Sequence, residues 1–422
     1  MRVAVENEKR ERAILVGLVP LRRAEFDAED SLDELQELAR TAGAVTVHRE
    51  LQHRRPDPAY LIGKGKAESL AGLVGDLDAD LVIFDSDLSA AQVRNLERVL
   101  DVKVIDRTEL ILDIFAQHAQ SREGKIQIEL AQLNYLLPRL VGKGIEMSQL
   151  GAGIGTRGPG EKKLEYDRRR IRDRITKLNR DLVSVKRSRA EQRKKRKRDV
   201  AASIAIVGYT NAGKSSLLNA IASADAHVEE ALFATLDPLI RRVTLPNGLR
   251  VVFSDTVGFI KKLPHTLVAA FRATLEEVVQ ADVLLLVADA SHPLMDEQIA
   301  TVKQVLAELG AAEKPIITVY NKRDRIADKA IIERLEQRDE SSVVVSALYD
   351  TDFTKLFDLV MERLDYVQRE TTFSIPQEEA RIVSEMYRHG EVLDQQYKDG
   401  VVVVRARLDR TFASKLEKYR TR

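Results

Sequence analysis

The chain has 422 residues, 32% of them charged and 44% hydrophobic, with a formal net charge of only +1, enough length for about three domains with a sizeable core in each. It contains no cysteine, which excludes disulfides, thiolate catalysis and a cysteine-ligated zinc site. The first residues carry charges rather than an apolar core, and no later run approaches the roughly 18 apolar residues of a membrane span. A cytoplasmic protein without membrane insertion is therefore expected.

In residues 1–116, strand-like and helix-like segments alternate. Residues 13–19 read as a strand, 31–40 as a helix capped by Ser31, and 44–48 as a second strand. A helix opens near Lys66, a strand covers 81–84, a helix covers 90–96, and a further strand covers 102–105. Such alternation predicts a parallel α/β domain. Gly63-Lys64-Gly65-Lys66 precedes one helix and could hold an anion, but it lacks the spacing of a nucleotide loop; an RNA-facing or plain turn fits it better. His48 and His53, without clustered carboxylates, read as surface residues rather than metal ligands.

Residues 117–199 read as a basic helical hairpin. Leu164, Ile171, Ile175, Leu178, Leu182 and Val185 form one apolar stripe along a long helix, and residues 127–137 supply the nearest partner helix. The joining segment contains Gly151-Ala152-Gly153-Ile154-Gly155-Thr156-Arg157-Gly158-Pro159-Gly160, which excludes regular helix or central strand. It is either a flexible linker or a loop whose bare backbone approaches another molecule, with Arg157 for phosphate or base contact. Residues 161–200 hold eighteen Lys/Arg against seven Asp/Glu, a local charge of +11 that leaves −10 on the remainder. Such a face is either simply solvated or a contact surface for RNA phosphates, and the density of like charge favours the second.

Residues 200–366 carry the nucleotide chemistry. Gly208-Tyr209-Thr210-Asn211-Ala212-Gly213-Lys214-Ser215 follows the apolar run 204–207 and opens a helical segment. Strand, turn and helix N-terminus aim backbone N–H groups at an anion, with Lys214 for the β/γ-phosphates and Ser215 for Mg²⁺. Asp255-Thr256-Val257-Gly258 follows a strand; its carboxylate can hold Mg²⁺ through water, and the Gly258 N–H can sense a γ-phosphate. Asn321-Lys322-Arg323-Asp324 follows another strand, where Asp324 could accept from guanine N1–H and its exocyclic amine. Adenine lacks that pattern, and a site built to hydrogen-bond a specific group rejects an analogue lacking it by roughly 10⁴ or more. Ser346-Ala347-Leu348, after a third strand, supplies a loop whose N–H can meet guanine O6. Four such motifs in one order, each at a strand end, indicate GTP. Residues 367–422, with strand-like 401–405, look like a small α/β domain.

The chain closely resembles the HflX family of ribosome-associated translational GTPases, in the Obg–HflX group. The resemblance runs through Gly63-Lys64-Gly65-Lys66, Arg94-Asn95-Leu96-Glu97, Asp106-Arg107-Thr108, Glu129-Leu130-Ala131-Gln132-Leu133, Gly158-Pro159-Gly160-Glu161, Leu232-Phe233-Ala234-Thr235-Leu236-Asp237-Pro238 and Asp255-Thr256-Val257-Gly258-Phe259-Ile260. Lys162-Lys163 departs from the commonest family pattern. The resemblance implies a P-loop GTPase domain preceded by a parallel α/β domain with a helical hairpin and followed by a small α/β domain. It also implies a cytosolic, monomeric GTPase that binds the large ribosomal subunit and its rRNA near the peptidyl-transferase region and splits or rescues ribosomes during stress such as heat. Thr235 would close over Mg²⁺ and the γ-phosphate, with Phe233 beside the nucleotide. Lys214, Thr235 and Gly258 are the expected catalytic residues. Asn211 resembles the potassium-binding asparagine of some related GTPases, so K⁺ joins Mg²⁺ as an expected cofactor.

Ras-like enzymes place a water-orienting glutamine where this chain has Phe259, and phenylalanine cannot do that work. Slow hydrolysis is expected until the ribosome, a rearranged switch or a monovalent cation supplies the missing part. An alternative function needs the same GTP site and basic hairpin: a ribosome-assembly or RNA-remodelling factor in which nucleotide switches RNA affinity, with ATP acting at the N-terminal domain.

Overall fold

The computed structural model describes residues 10–19, 25–140, 159–196, 202–222, 239–261, 272–367, 370–379, 381–398, 400–408 and 410–421. The chain divides into two compact units, Met1–Ala190 with Glu229–Asp237 and Ile260–Thr274, and Glu191–Val228 with Pro238–Phe259 and Leu275–Arg422.

In the first unit, strands β1 (Arg12–Val19), β2 (Val45–His53), β3 (Leu81–Phe84) and β4 (Lys103–Asp106) alternate with helices α1 (Glu25–Thr41), α2 (Lys64–Asp76) and α3 (Ala90–Leu100). The strands form a parallel sheet in the order β2-β1-β3-β4, as the alternation predicts. Ile14, Val16, Val82, Phe84 and Val104 from the sheet pack with Leu70 and Leu96 from the helices.

Several boundaries differ from the sequence reading, and three are instructive. Helix α1 begins six residues before Ser31, because the acidic stretch from Glu25 to Asp30 suits a helix N-terminus. Ser31 is not its cap: it is 2% exposed, and its hydroxyl donates to Asp85 at 2.8 Å. Strand β2 continues past His48 to His53, since an edge strand tolerates charged side chains while its backbone pairs with β1. Helix α2 opens at Lys64, and the lysines of that turn are held internally, Lys66 by Glu50 at 2.7 Å and Lys64 by Glu68 at 3.7 Å.

Helices α4 (Arg107–His118), α5 (Arg122–Arg139) and α6 (Pro159–Arg196) complete this unit. Arg174 of α6 grips Glu129 of α5 through two hydrogen bonds of 2.6 and 2.7 Å. Farther along α6, Leu178 and Asp181 line a groove with Ile126, Lys125 and Arg122, so the two helices run antiparallel. Of the expected apolar stripe, Leu178 is buried, at 2% exposed, while Ile171, Ile175, Leu182 and Val185 are half-buried. Pro159 and Gly160, assigned to the loop by sequence, open α6 instead; proline is tolerated at a first helical position because its missing N–H would have no partner there. The glycine-rich run 151–158, with Arg157, lies outside the described residues.

A buried polar network anchors the hairpin's first helix. Asp106 accepts from the Glu109 amide at 2.9 Å and the Tyr135 hydroxyl at 2.8 Å on one oxygen, and from Arg139 at 2.9 Å and the Leu88 amide at 3.0 Å on the other. The Arg139 guanidinium lies 3.4 Å from the Tyr135 ring centroid. Burial, reinforced by the charges of Asp106 and Glu109, pushes the Tyr135 phenol well above its ordinary range, which keeps it a donor. Arg107, 2% exposed, donates to Asp85 at 2.9 Å, to Glu34 at 2.8 Å and to the Ser31 carbonyl at 3.0 Å. Buried charges survive only when paired in this way.

The second unit contains β5 (Ala202–Gly208), α7 (Lys214–Ile221), β6 (Ile240–Thr244), β7 (Arg250–Asp255), α8 (Arg272–Gln280) from Leu275 onward, β8 (Val283–Asp289), α9 (Met295–Glu308), β9 (Ile316–Asn321), α10 (Lys329–Glu336), β10 (Ser342–Val344) and α11 (Thr354–Val367). Its sheet runs β10-β9-β8-β5-β7-β6, parallel except for β6 against β7. Ile204, Ile206, Phe253, Leu285 and Val319 fill its core with Leu217 of α7. The sheet's central strand thus delivers Gly208 to the phosphate turn, and β7, β8 and β9 end on Asp255, Asp289 and Asn321.

The final segment folds as β11 (Glu370–Pro376), α12 (Arg381–His389), β12 (Gly390–Lys398), β13 (Val401–Leu408) and α13 (Arg410–Lys415). Its antiparallel sheet, ordered β11-β13-β12, buries Phe373, Ile375, Val402 and Val404 with Met386 and Phe412 from the helices. Strands and helices mix in it, as expected from the sequence for 367–422.

Candidate nucleotide site

The phosphate turn runs from Gly208 to Gly213 between β5 and α7. Asn211 adopts φ +59° and Gly213 φ +89°, so the turn twice uses the left-handed backbone region. At Gly213 a Cβ would lie 2.2 Å from Asn321 Nδ2. Glycine is required there by both conformation and space.

Lys214, the first residue of α7, is 7% exposed, and its amine donates to the Tyr209 carbonyl at 2.8 Å. Burial pushes its pKa down to about 8; Asp255 opposes that shift and Lys322 adds to it. Next to it, the Ser215 hydroxyl donates to the Asp255 carboxylate at 2.5 Å. A hydroxyl and a fully buried carboxylate facing one another are hard oxygen donors of the kind Mg²⁺ takes, so these residues fit that ion.

The segment after Asp255 is stitched to the phosphate turn. Phe259 donates its amide to the Gly208 carbonyl at 3.0 Å, and Thr210 donates to the Phe259 carbonyl at 2.7 Å, forming a parallel bridge between Tyr209 and Phe259. The Thr256 hydroxyl donates to the Ile206 carbonyl at 2.8 Å. Gly258 lies in this closed space: an added Cβ would sit 2.7 Å from Thr210 Cγ2, 2.8 Å from Thr210 Cα and 2.9 Å from Lys214 Nζ. Phe259 itself is 2% exposed. Its side chain is core, and its backbone is the bridge.

At the base-recognition end, Asn321 donates from Nδ2 to the Ala212 carbonyl at 2.9 Å and accepts the Ala347 amide on Oδ1 at 2.9 Å. Ala347 therefore donates its N–H to Asn321. The Asp324 carboxylate accepts the Ser346 hydroxyl, and the Ser346 amide donates to Asp350 at 2.7 Å. Leu348, the third residue of that loop, is exposed. Lys322, at φ +63°, donates to Asp289 at 2.6 Å. Burial raises the Asp289 pKa, but hydrogen bonds from Lys322 and Ser291 outweigh it, and the carboxyl lies below its ordinary value.

The structure thus brings Gly208, Tyr209, Thr210, Asn211, Ala212, Gly213, Lys214, Ser215, Asp255, Gly258, Asn321, Lys322, Asp324, Ser346, Ala347 and Leu348 to one edge of one sheet. Phe233 and Thr235 lie outside the described residues. Sequence reasoning missed Asp289 and Asp350. Asp350 accepts Arg323 at 2.6 Å as well as the Ser346 amide, bracing the base-recognition loop. Only the sheet order reveals Asp289, since β8 ends on it directly opposite Asn321.

Four family models match in sequence: "GTP-binding GTPase N-terminal" over residues 29–116, "GTP-binding GTPase Middle Region" over 118–196, "50S ribosome-binding GTPase" over 203–322 and "HflX C-terminal domain" over 330–420. A GTPase HflX of Caldanaerobacter subterraneus is 46% identical over 94% of this chain and 91% of its own length. The chain belongs to the HflX family of GTPases. GTP is accordingly its substrate, and the P-loop domain is where hydrolysis occurs. The GTPase HflX of Escherichia coli is 41% identical over 94% of this chain and 93% of its own. A crystal structure of a GTP-binding protein from Sulfolobus solfataricus with GDP is 26% identical, covering 84% of this chain and 99% of that one, with a TM-score of 0.46. Among the described residues, no helix of this HflX-family chain is long and apolar enough to cross a membrane.

Proposed function

We propose that this chain is a cytoplasmic, monomeric, ribosome-activated GTPase whose GTP-bound form binds the large ribosomal subunit and splits or rescues ribosomes during stress such as heat, with hydrolysis driving release. The burial of Phe259 carries this reading. Where Ras-like enzymes place a glutamine, the side chain here is sealed in the core, so the residue that would orient water must come from elsewhere. Large-subunit rRNA near the peptidyl-transferase region is the proposed activator, reached by the N-terminal portion and its basic hairpin. The family model named for 50S ribosome binding, which matches residues 203–322, supports that choice.

In this mechanism Lys214 neutralises the β/γ-phosphates, the N–H of Gly258 follows the γ-phosphate, and Thr235 closes over it. Ser215, Asp255 and Thr235 would hold Mg²⁺, which would neutralise charge on the phosphates. Asp324 reads guanine N1–H and the exocyclic amine, while Lys322, fixed by Asp289, flanks the base. With the Ala347 amide donating to Asn321, the Leu348 amide is our choice for guanine O6. Asn211 is proposed to hold a K⁺ that supplements the charge. The proposed division is 1–116 N-terminal α/β, 117–199 hairpin, 200–366 GTPase and 367–422 C-terminal.

The deciding experiment measures GTP hydrolysis by the purified protein alone and with intact ribosomes, large subunits and small subunits, in K⁺ and in Na⁺. Strong stimulation by ribosomes or large subunits, together with loss of intact ribosomes in a non-hydrolysable GTP analogue, is expected. Binding to immature subunits without splitting would instead favour an assembly or RNA-remodelling factor. Equal rates in K⁺ and Na⁺ would remove K⁺ from the mechanism.

A further inference from the structure

Tyr166 stands 61% exposed on the most basic helix of the protein, α6. The four positions one helical turn away are Lys162, Lys163, Arg169 and Arg170. The Arg170 guanidinium carbon lies 5.8 Å from the Tyr166 ring centroid, within cation–π range, and Arg169, Arg170 and Arg172 are exposed. Among the described residues no carboxylate lies within ion-pair distance of these three arginines, whereas Arg174, nearer the core of the hairpin, is neutralised by Glu129.

A single exposed ring is ordinary, as Tyr349, Tyr387 and Tyr397 show; what distinguishes Tyr166 is the charge beside it. Here the residues one helical turn to either side are Lys or Arg in sequence, with Arg170 at the ring itself, so a protein interface would have to desolvate charge to reach one side chain, while Glu165 and Asp167 flank the ring along the chain. A nucleic acid makes both features favourable. Its phosphates meet the cations, and an unstacked base presents a flat face to the ring. A paired duplex would use the charges and leave the ring idle.

We infer that Tyr166 is a stacking platform for an unpaired base of single-stranded or looped RNA, with Arg170 closing on the base edge and Arg169 and Arg172 on the adjoining phosphates. This rests on the RNA-facing reading of the hairpin given above and deepens it: the hairpin selects unpaired RNA over duplex, through one residue.

The test uses the full-length protein with a fluorescent single-stranded RNA of about twelve nucleotides and a hairpin-free duplex of equal length, at about 50 mM salt. Tyr166→Ala is expected to weaken single-strand binding about tenfold, the scale of one lost base–aromatic stack, while duplex binding stays within about twofold. Tyr166→Phe retains the ring and should restore the wild-type value. Arg172→Ala should weaken both RNAs alike and flatten the salt dependence, as loss of a phosphate contact does. Unchanged circular dichroism and basal GTP hydrolysis would confirm that each variant is folded. If wild type binds both RNAs but Tyr166→Ala leaves single-strand affinity unchanged, or lowers both affinities equally, the stacking platform is overturned while the RNA-facing hairpin stands. If wild type binds neither RNA, both readings fall together.

Discussion

The carboxamide of Asn321 closes on the carbonyl of Ala212 at 2.9 Å, tying the end of β9 to the phosphate turn, and with its other atom takes the Ala347 amide at 2.9 Å. Phosphate turn and base-recognition loop are therefore fixed to one side chain, itself 2% exposed. Base contacts and phosphate contacts share a single hinge point. Any change at this position should register at both ends of the nucleotide.

Asn321→Ala leaves a buried carbonyl and a buried amide without their partner, at a cost of about 1–3 kcal/mol each. The expected result is a lower melting temperature without nucleotide and an affinity for both GTP and GDP reduced at least tenfold. Fluorescent GDP titration and a thermal melt check this. A variant with native affinity for GDP would show that the bridge is dispensable. Gly213→Ala should mimic it, because the added Cβ would fall 2.2 Å from the same Nδ2.

Lys214 gives a pH dependence with a defined sign. Its pKa in the nucleotide-free protein is pushed down to about 8 by burial, and bound phosphates must raise it, since an anion favours the charged amine. Below pH 8 the amine is already protonated, so affinity for GDP should be flat. Above pH 8 the free site loses its proton while the bound site keeps it. Affinity should then fall by up to about tenfold per pH unit, with proton uptake on binding. Calorimetry at pH 7 and pH 9 in buffers of different ionisation enthalpy reads both quantities. Equal affinity and zero proton uptake at pH 9 would contradict the assignment.

Much of this site was legible because each motif is local: a strand, a glycine-bearing turn and the residue after it. Gly208 to Ser215, Asp255 and Asn321 could be placed from sequence because the apolar runs before them are buried central strands. The pairing of Lys322 with Asp289 was not legible. It depends on β8 and β9 being neighbours, which the sheet order decides and no local residue pattern records. Likewise Ser31 looks like a helix cap in sequence, yet its hydroxyl is committed to Asp85, 54 residues away. The closing of Asp106 on Tyr135 and Arg139 belongs to the same kind of long-range polar pairing. Strand and helix types followed from periodicity, whereas a role such as that of Ser31 followed from its tertiary partner.

Gly258→Ala should separate binding from chemistry. Its Cβ would press on the Thr210 backbone, which cannot swing aside as a side chain tip can, and on the Lys214 amine. GDP lacks the γ-phosphate that the Gly258 N–H follows in the proposed mechanism, so GDP affinity should fall much less than hydrolysis, by about tenfold at most through the strain on Thr210 and Lys214. GTP hydrolysis with ribosomes should fall on the order of 10²-fold, as when a positioned donor to the transition state is lost. Single-turnover hydrolysis alongside GDP titration tests the split; parallel losses in both would mean the substitution simply damages the phosphate turn.

Phe259→Gln is the substitution that a comparison with Ras-like enzymes would suggest for raising intrinsic activity, and the structure predicts that it fails. The side chain is 2% exposed and packed in the core, while the backbone of the same residue holds Gly208 and Thr210. A glutamine there would bury an amide without an assured partner and lose aromatic packing, a destabilisation of about 2–4 kcal/mol. It would not reach the γ-phosphate unless the bridge between Tyr209 and Phe259 opened. The expected outcome is a lower melting temperature and an unchanged or reduced hydrolysis rate without ribosomes. A tenfold gain in that rate, with the fold intact, would show that residue 259 turns outward when GTP is bound, and would move the source of water activation from the ribosome to the chain itself.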